Sequence, residues 1–497
     1  MLAALLLGWV WQQWQEAMAN HDLFWLYTGF LRLTQGQTMA QSFYETNPPL
    51  SVFIYTPAFW VVQQGWLTLP HAILIYSMTV LGLSVLATRA VLKQTTLDHA
   101  QVALICLGLV ICGTVLTPPN LGQRDQLLAL AAFPVMALLL TRTWRNKPGV
   151  TEIPASLAAP ILFVGTFFLL LKPYYGLLPA FLMLHRAVTQ KRISAFWDID
   201  FLVMAAATLL YAVSVWRFFP DYITIILPDV MALYADTGWS GRAQVIYVVC
   251  AWLILMGLSS SVTNTVNYTR MFLWFSALSF LIFVMMMKGY AYHLLPCLTF
   301  LYIAGLLVVD GLLRRRIRDN AIRIFALGLI LSGLIIPLPR AFLPGRDDIM
   351  KEEITQIVAG CGEDCKFLVM GGTVRAIQLI SYYGGKPHAS RFPKFWFLEG
   401  VVRDALYQKG SKNPLGPYWK YADMIAEDID FYKPDIIFSC DYIVRHVPLL
   451  SHYESFRKSF APYRAVRKLS YNFNVFHGNR LAPGREMIPC TLYQRSD

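Results

Sequence analysis

The feature that most constrains the fold of this chain is a series of separated apolar blocks, each near the length that crosses a bilayer. A transmembrane helix needs about 20 consecutive apolar residues. Only 14% of the residues are charged, against roughly 25% in a soluble domain, which excludes a soluble enzyme. The sequence therefore predicts a polytopic α-helical membrane protein of about 11 spans, with blocks at 1–18, 70–92, 101–118, 127–141, 157–171, 174–184, 199–216, 244–258, 271–287, 291–313 and 321–338.

The stretch 157–184 is long enough for one span, but Lys172-Pro173 lies at its centre. Proline disfavours helix at the residue before it, so we expect two short spans with a turn between them. Cytoplasmic loops are normally enriched in Lys and Arg. With the N-terminus in the cytoplasm and a break at Lys172, the inner loops hold more than twice as many basic residues as the outer loops. This enrichment accounts for the net charge of +12 without a nucleic-acid partner.

Beyond residue 340 the composition becomes mixed. Apolar runs at 367–370 and 436–438 are bounded by Gly, Pro and charged residues, which is typical of buried strands in a soluble α/β domain. We expect a transmembrane domain over 1–340 and an α/β domain over 341–497. An odd number of spans places this second domain on the outer face.

The first outer loop, residues 19–69, contains an apolar stretch at 50–66. Pro57 interrupts this stretch, and Trp60 and Trp66 are suited to the membrane interface. We therefore expect a helix that lies on the membrane surface.

The outer domain contains four cysteines, Cys361, Cys365, Cys440 and Cys490. An oxidising compartment permits one disulfide between the first two and another between the last two. A zinc site is the alternative, although the second pair lacks the spacing of metal ligands.

Two carboxylates stand at predicted outer ends of spans, where few other acids occur. Asp22 follows the first span and Asp125 precedes the fourth. A charge at the end of a span carries a desolvation cost, so the pair indicates a site at the outer face. Helix capping or simple solvation explains each carboxylate taken alone.

The order of these residues resembles the first outer loops of GT-C glycosyltransferases. The matching features are Asp22 with neighbouring aromatic residues, Gly36, the run Phe43-Tyr44-Glu45-Thr46-Asn47-Pro48-Pro49-Leu50, and Asp125 in the next outer loop. Similar enzymes include the protein O-mannosyltransferases, the aminoarabinose transferase acting on lipid A and the mycobacterial arabinosyltransferases. The resemblance covers residues 1–145 in motif detail. Many relatives have an acidic pair where this chain has Asp22 alone, so a metal role stays open.

The resemblance implies transfer of a sugar from a polyprenyl-phosphate donor to a glycan, lipid or protein acceptor, on the outer face of a bacterial-type inner membrane. The acceptor loses a proton as it attacks the anomeric carbon, and a carboxylate suits that general-base role, which we assign to Asp22. Negative charge grows on the departing lipid phosphate, and fixed cations stabilise it in a water-poor cleft. The candidate cations are Arg124, Lys172, Lys288 and His293.

Each of these side chains also has a simpler explanation. Lys172 and Lys288 suit snorkelling to the headgroups, and His293 suits a hydrogen bond to a neighbouring carbonyl. Asp125 is expected to position the sugar or a divalent cation, or else to pair with Arg124. The substrate-binding candidates are Glu45, Asn47, Tyr292 and Trp239, the last in an outer loop at 217–243 that forms either a lid or a packed interfacial helix.

Three other classes of membrane protein stand as alternatives, one of which is a non-catalytic membrane scaffold. A solute transporter or lipid-glycan flippase usually has repeated halves and ionisable groups near the membrane midplane, whereas here the candidates cluster at one face and no repeat is visible. An O-antigen-ligase-like enzyme uses similar donors, but it depends on a large outer loop with Arg and His.

Overall fold

The computed structural model describes residues 2–15, 20–115, 117, 121–145, 148–234, 242–260, 266–286, 290–314, 356–357, 359–371, 377, 380–381, 385–398, 401, 419–440, 445–471 and 488–496. Its helices are α1 (Leu2–Gln15), α2 (His21–Thr34), α3 (Met39–Ser42), α4 (Leu50–Phe53), α5 (Thr56–Gln63), α6 (Leu69–Leu92), α7 (His99–Gly113), α8 (Arg124–Thr143), α9 (Ala155–Leu170), α10 (Leu177–Gln190), α11 (Ile199–Phe218), α12 (Tyr222–Tyr234, with π-type turns), α13 (Arg242–Ser259), α14 (Val266–Met285), α15 (Leu295–Arg314), α16 (Trp419–Tyr432), α17 (His446–Leu450) and α18 (Glu454–Phe460). Short 3-10 turns lie at Pro173–Gly176, Ile193–Trp197 and Ala291–Leu294, and the strands are β1 (Phe367–Met370), β2 (Ile436–Cys440), β3 (Tyr463–Tyr471) and β4 (Ile488–Arg495).

Within the described part of the chain, five helices are long and apolar enough to cross a membrane: Leu69–Leu92, Arg124–Thr143, Ile199–Phe218, Asn267–Met285 and Tyr292–Arg314. Each predicted apolar block from 1–18 to 291–313 contains a helix, whereas the block at 321–338 lies outside the described residues. The structure thus agrees with a helical membrane protein, and the finer count of about 11 spans stays a prediction.

The interruption predicted at Lys172-Pro173 is confirmed. α9 ends at Leu170, and Lys172 has an extended backbone with φ −139° and ψ 90°. A 3-10 turn begins at Pro173, and α10 begins at Leu177. Because the proline ring disfavours helix at the preceding residue, the local sequence is sufficient to end α9 here.

The single surface helix predicted for 50–66 is instead two short helices, α4 and α5, separated by a turn at residues 54–55. Pro57 does not interrupt a helix, because it occupies the first turn of α5, where its missing N–H has no intrahelical partner to lose. Trp60 and Trp66 are 46% and 65% exposed, as expected of interfacial side chains.

The chain forms two compact units, each drawn from three separate stretches. The first contains Met1–Asn20, Phe53–Ser214 and Trp239–Leu343, and the second contains His21–Val52, Val215–Gly238 and Pro344–Asp497. In the helical first unit, 94% of the apolar window of α8 is buried, against 28% of that of α11. The helix α8 is therefore interior, and α11 exposes a broad apolar surface.

The second unit contains a four-stranded sheet in the order β1-β2-β4-β3. The strands predicted at 367–370 and 436–438 are confirmed as β1 and β2, which pair in parallel, while β4 pairs antiparallel with both β2 and β3. A parallel pair needs a crossover connection, and α16 lies on it. Disulfides join Cys361 to Cys365 and Cys440 to Cys490, so these cysteines do not form the alternative zinc site.

Candidate functional site

A buried ion pair between Asp125 and Lys172 is the centre of the candidate site in the first unit. Lys172 Nζ lies 2.6 Å from Asp125 Oδ1, and the two side chains are 7% and 1% exposed, respectively. Removing charges from water is costly, and a close hydrogen-bonded pair offsets that cost. Lys172 is therefore turned into the protein, in contrast to the snorkelling alternative.

Local sequence positions both members of this pair. Asp125 lies in the first turn of α8, where the helix dipole favours a carboxylate. Lys172 lies in the extended link before Pro173, and its carbonyl accepts the Tyr175 N–H at 2.9 Å. The pair thus joins the beginning of α8 to the link that follows α9.

A set of hydrogen bonds around Gly122 fixes the beginning of α8. Gly122 has φ +77°, a left-handed conformation that glycine adopts without strain. Its N–H donates to Gln126 Oε1 and its carbonyl accepts from the Tyr55 hydroxyl, both at 2.6 Å. The Gln126 amide also donates to the Gly113 carbonyl, at the end of α7, at 2.7 Å. This arrangement, which we call the Gly122 clamp, sets the position of the first turn of α8.

Aromatic side chains at the beginning of α15 contact the same region. Lys172 Nζ lies 5.9 Å from the Tyr292 ring centroid, within the range of a cation–π interaction. His293 is buried, and its ring centroid is 4.5 Å from that of Tyr292 and 5.5 Å from that of Tyr290. With Arg124, which is buried in the first turn of α8, these groups give the first unit a concentrated set of predicted site residues.

Asp22 belongs to the second unit, where it lies in the first turn of α2. Its Oδ1 is 3.5 Å from His21 Nε2, and its side chain is 22% exposed. This carboxylate therefore keeps access to a binding partner. Two further candidates, Lys288 and Trp239, lie outside the described residues.

Glu45 and Asn47, also in the second unit, form a local hydrogen-bonded turn. Glu45 Oε1 accepts the Thr46 hydroxyl and the Asn47 N–H, both at 3.0 Å, and the Asn47 side-chain amide at 2.5 Å. The buried Glu45 carboxylate thus orders the loop immediately before the two prolines. Substrate binding by these two residues stays a prediction.

Buried polar contacts hold the stretches of the second unit together. The Tyr44 hydroxyl donates to Asp229 of α12, and Lys420 of α16 pairs with the same carboxylate at 2.5 Å. Burial and then the Asp229 carboxylate raise the pKa of Tyr44, so its hydroxyl stays a donor. Arg32 of α2 donates to the carbonyls of His388 and Ser390 at 2.6 and 2.7 Å. Because Asp229 lies in the loop predicted at 217–243 and contacts Tyr44 and Lys420, α12 in that loop is a packed helix.

The sequence analysis did not identify Tyr55, Gln126 or Tyr175 as site residues. Gln126 and Tyr175 carried a usable signal, because each is a polar side chain close to a candidate charge in an apolar segment. Tyr55 carried none, because it contacts Gly122, 67 positions away in the sequence.

The described residues contain no group of three or more His, Cys, Asp or Glu side chains able to hold a metal ion. No protein-family model and no curated protein matches this chain. Its function is therefore inferred from its own residues.

Proposed function

We propose that this chain is an integral-membrane glycosyltransferase of the GT-C type with about 11 spans. It moves a sugar from a polyprenyl-phosphate donor to a glycan, lipid or protein acceptor on the outer face of a bacterial-type inner membrane. The five long apolar helices and the mixed α/β second unit support this architecture.

Two buried cations beside one buried carboxylate carry this proposal. Arg124 and Lys172 are both buried near Asp125, which pairs with Lys172, in surroundings where charge is costly. A lipid phosphate supplies the opposite charge, and the N-terminus of α8 favours an anion through its dipole and its N–H groups. Lys172 is already held by Asp125, so it needs no rearrangement to stabilise charge that develops during the reaction.

The proposed reaction uses Asp22 as the general base. The acceptor oxygen or nitrogen forms a bond to the anomeric carbon of the donor and passes its proton to the Asp22 carboxylate. The bond between the anomeric carbon and the phosphate oxygen breaks, and its electron pair leaves with the phosphate. Arg124, Lys172 and His293 stabilise the phosphate as this negative charge grows.

The stretches of chain that make up the second unit support the proposal that this unit lies on the outer face of the membrane. Its three stretches follow α1, follow most of α11 and form the C-terminal part of the chain. They pack into one unit through contacts such as that of Tyr44 with Asp229, which supports the proposal that all three lie on the same side of the membrane. The two disulfides support an oxidising compartment for that side.

Substitution of Asp22 by Asn tests the proposed enzyme. We expect transfer of labelled sugar from an undecaprenyl-linked donor, measured in membrane vesicles per folded protein, to fall about 100-fold or more, the usual contribution of a general base. Asp364→Asn, at an exposed position of the same unit, is the matched control and should keep full activity. Full activity of the Asp22→Asn variant would exclude this base. Movement of an intact lipid-linked sugar across the bilayer, without covalent transfer, would favour the flippase alternative.

A further inference from the structure

Two buried polar atoms at the candidate site have no hydrogen-bond partner among the described residues. One is Asp125 Oδ2, since only Oδ1 contacts Lys172. The other is the hydroxyl of Tyr175, a residue with 0% exposure. Almost all buried polar atoms in proteins are hydrogen-bonded, so an exception requires an explanation.

Hydrogen bonds through Lys172 connect Tyr175 with Asp125. The Tyr175 backbone N–H binds the carbonyl of Lys172, whose ammonium group binds Asp125. The Tyr175 hydroxyl also interacts electrostatically with the Asp125 carboxylate. Phenylalanine would fill the same volume as Tyr175 without burying an unpaired hydroxyl, which folding alone would favour.

The chemistry of Asp125 Oδ2 limits what it binds. An ionised carboxylate only accepts hydrogen bonds, so an ionised phosphate oxygen, itself an acceptor, is excluded as its partner. A phenol hydroxyl both donates and accepts. A ligand that satisfies both atoms presents an O–H or N–H donor to Oδ2 and either a donor or an acceptor to the hydroxyl, as the hydroxyl groups of a sugar do.

We propose that Asp125 Oδ2 and the Tyr175 hydroxyl form a sugar-binding subsite beside the phosphate-binding cations. This inference rests on the proposed function. It assigns to Tyr175 the selection of a glycosylated carrier over the bare carrier. It also gives Asp125 two simultaneous roles, one on each oxygen: Oδ1 orients Lys172 and Oδ2 binds the sugar.

Binding measurements on the full-length protein in nanodiscs test the subsite. The probes are undecaprenyl phosphate and the same lipid carrying a hexose, a pentose or an amino sugar. We expect the unmodified protein to prefer at least one glycosylated lipid, and Tyr175→Phe to reduce that preference about three- to tenfold, the effect of one hydrogen bond. Binding of bare undecaprenyl phosphate should not change. Tyr302→Phe is the matched control, because the Tyr302 hydroxyl is also buried with no hydrogen bond to a described residue, and Tyr302 packs against a separate hydrophobic cluster.

The melting temperature without lipid provides a second, independent readout. Since the Tyr175 hydroxyl has no hydrogen-bond partner in the part of the chain that the structure describes, Tyr175→Phe should melt at or above the temperature of the unmodified protein. A lower melting temperature, an unchanged sugar preference, or an equal loss for bare and glycosylated lipids would each overturn the subsite. If bare carrier binds but no sugar is preferred, only this inference fails. If no lipid binds the unmodified protein, the proposed function fails and the subsite fails with it.

Discussion

The two ends of α8 carry charged clusters of different composition. At its C-terminal end, Arg142 and Arg186 meet the carboxylates of Asp198 and Asp200, with Arg186 at 2.9 Å from Asp198 and 3.2 Å from Asp200. Each cation there is matched by a carboxylate, and Arg186 also binds the Leu139 carbonyl. At the N-terminal end, about 30 Å away along the helix, Arg124 and Lys172 lie near Asp125, and only one oxygen of that carboxylate is hydrogen-bonded among the described residues.

On the proposed function, the C-terminal cluster is a structural network and the N-terminal cluster is a binding site. A charge-balanced buried cluster satisfies its own members and needs no ligand. In the N-terminal cluster, Asp125 binds Lys172 through one oxygen, and its other oxygen has no hydrogen bond among the described residues. On the proposed function, a sugar phosphate supplies a hydrogen-bond donor to that oxygen and an anion for the buried cations.

Removal of Arg186 should have the largest effect, and the effect should be on stability. Arg186→Met leaves the buried Asp200 carboxylate with less compensation, and breaking a buried pair costs about 3–5 kcal/mol. We expect unfolding in detergent to require correspondingly less heat or denaturant, while folded protein keeps its affinity for undecaprenyl phosphate. Lys458→Met, in an exposed pair with Glu454, should leave stability nearly unchanged, because exposed ion pairs contribute little. Lost lipid binding at unchanged stability would break the comparison.

Removal of both Asp125 and Lys172, which pair at the beginning of α8, should reduce activity and leave stability nearly unchanged. Asp125→Leu with Lys172→Met replaces a buried pair by apolar groups, a change that is often neutral for stability. Transfer of sugar should nevertheless fall about 100- to 1,000-fold, as expected when a positioned electrostatic group is lost. Rates per folded protein and melting temperatures give the two readouts. A stable double variant with normal transfer would show that this cluster is structural as well.

Substitution in the Gly122 clamp should have a smaller effect, both on stability and on the binding of undecaprenyl phosphate. Gln126→Leu leaves the N–H of Gly122 and the carbonyl of Gly113 without their partner, at a cost of about 1–3 kcal/mol. We expect a moderate loss of stability and several-fold weaker binding of undecaprenyl phosphate, because the first turn of α8 is less well fixed. Gln126→Glu buries an additional negative charge beside Asp125 and should lose more affinity than Gln126→Leu. Equal affinity in all three proteins would contradict a positioning role for the clamp.

A pH titration extends the comparison to the second unit, where burial keeps His446 uncharged, whereas the buried charges of the first unit are paired. Burial lowers the pKa of His446 to about 4, against about 6.5 in an unfolded chain. The unfolded state therefore takes up the proton first, so stability falls as the pH drops from 6.5 to 4, and His446 contributes at most about 1.4 kcal/mol per pH unit. Burial also lowers the pKa of His388, to about 3, so His388 contributes with the same sign. Thermal unfolding of the full-length protein at pH 7 and pH 5 measures the sum. His446→Leu should make the dependence shallower, whereas His452→Leu, at an exposed position, should leave it unchanged.

The fold was predictable wherever a short stretch of sequence decides the outcome. The apolar blocks predicted the helices, Pro173 predicted the end of α9, and the bounded apolar runs predicted β1 and β2. The stretch 50–66 was predicted less well, because proline in a first helical turn and proline inside a helix have the same local appearance in a sequence.

The sequence by itself determined a helical membrane-type chain with Arg124, Asp125, Lys172, Tyr292 and His293 as candidates. Composition and local steric preference are enough to fix helices and turns. Only the tertiary structure decided that Asp125 binds Lys172, 47 positions away, and that α12 packs with Tyr44. It alone singled out the Tyr175 hydroxyl, because whether a buried polar atom has a partner depends on which distant segments meet around it.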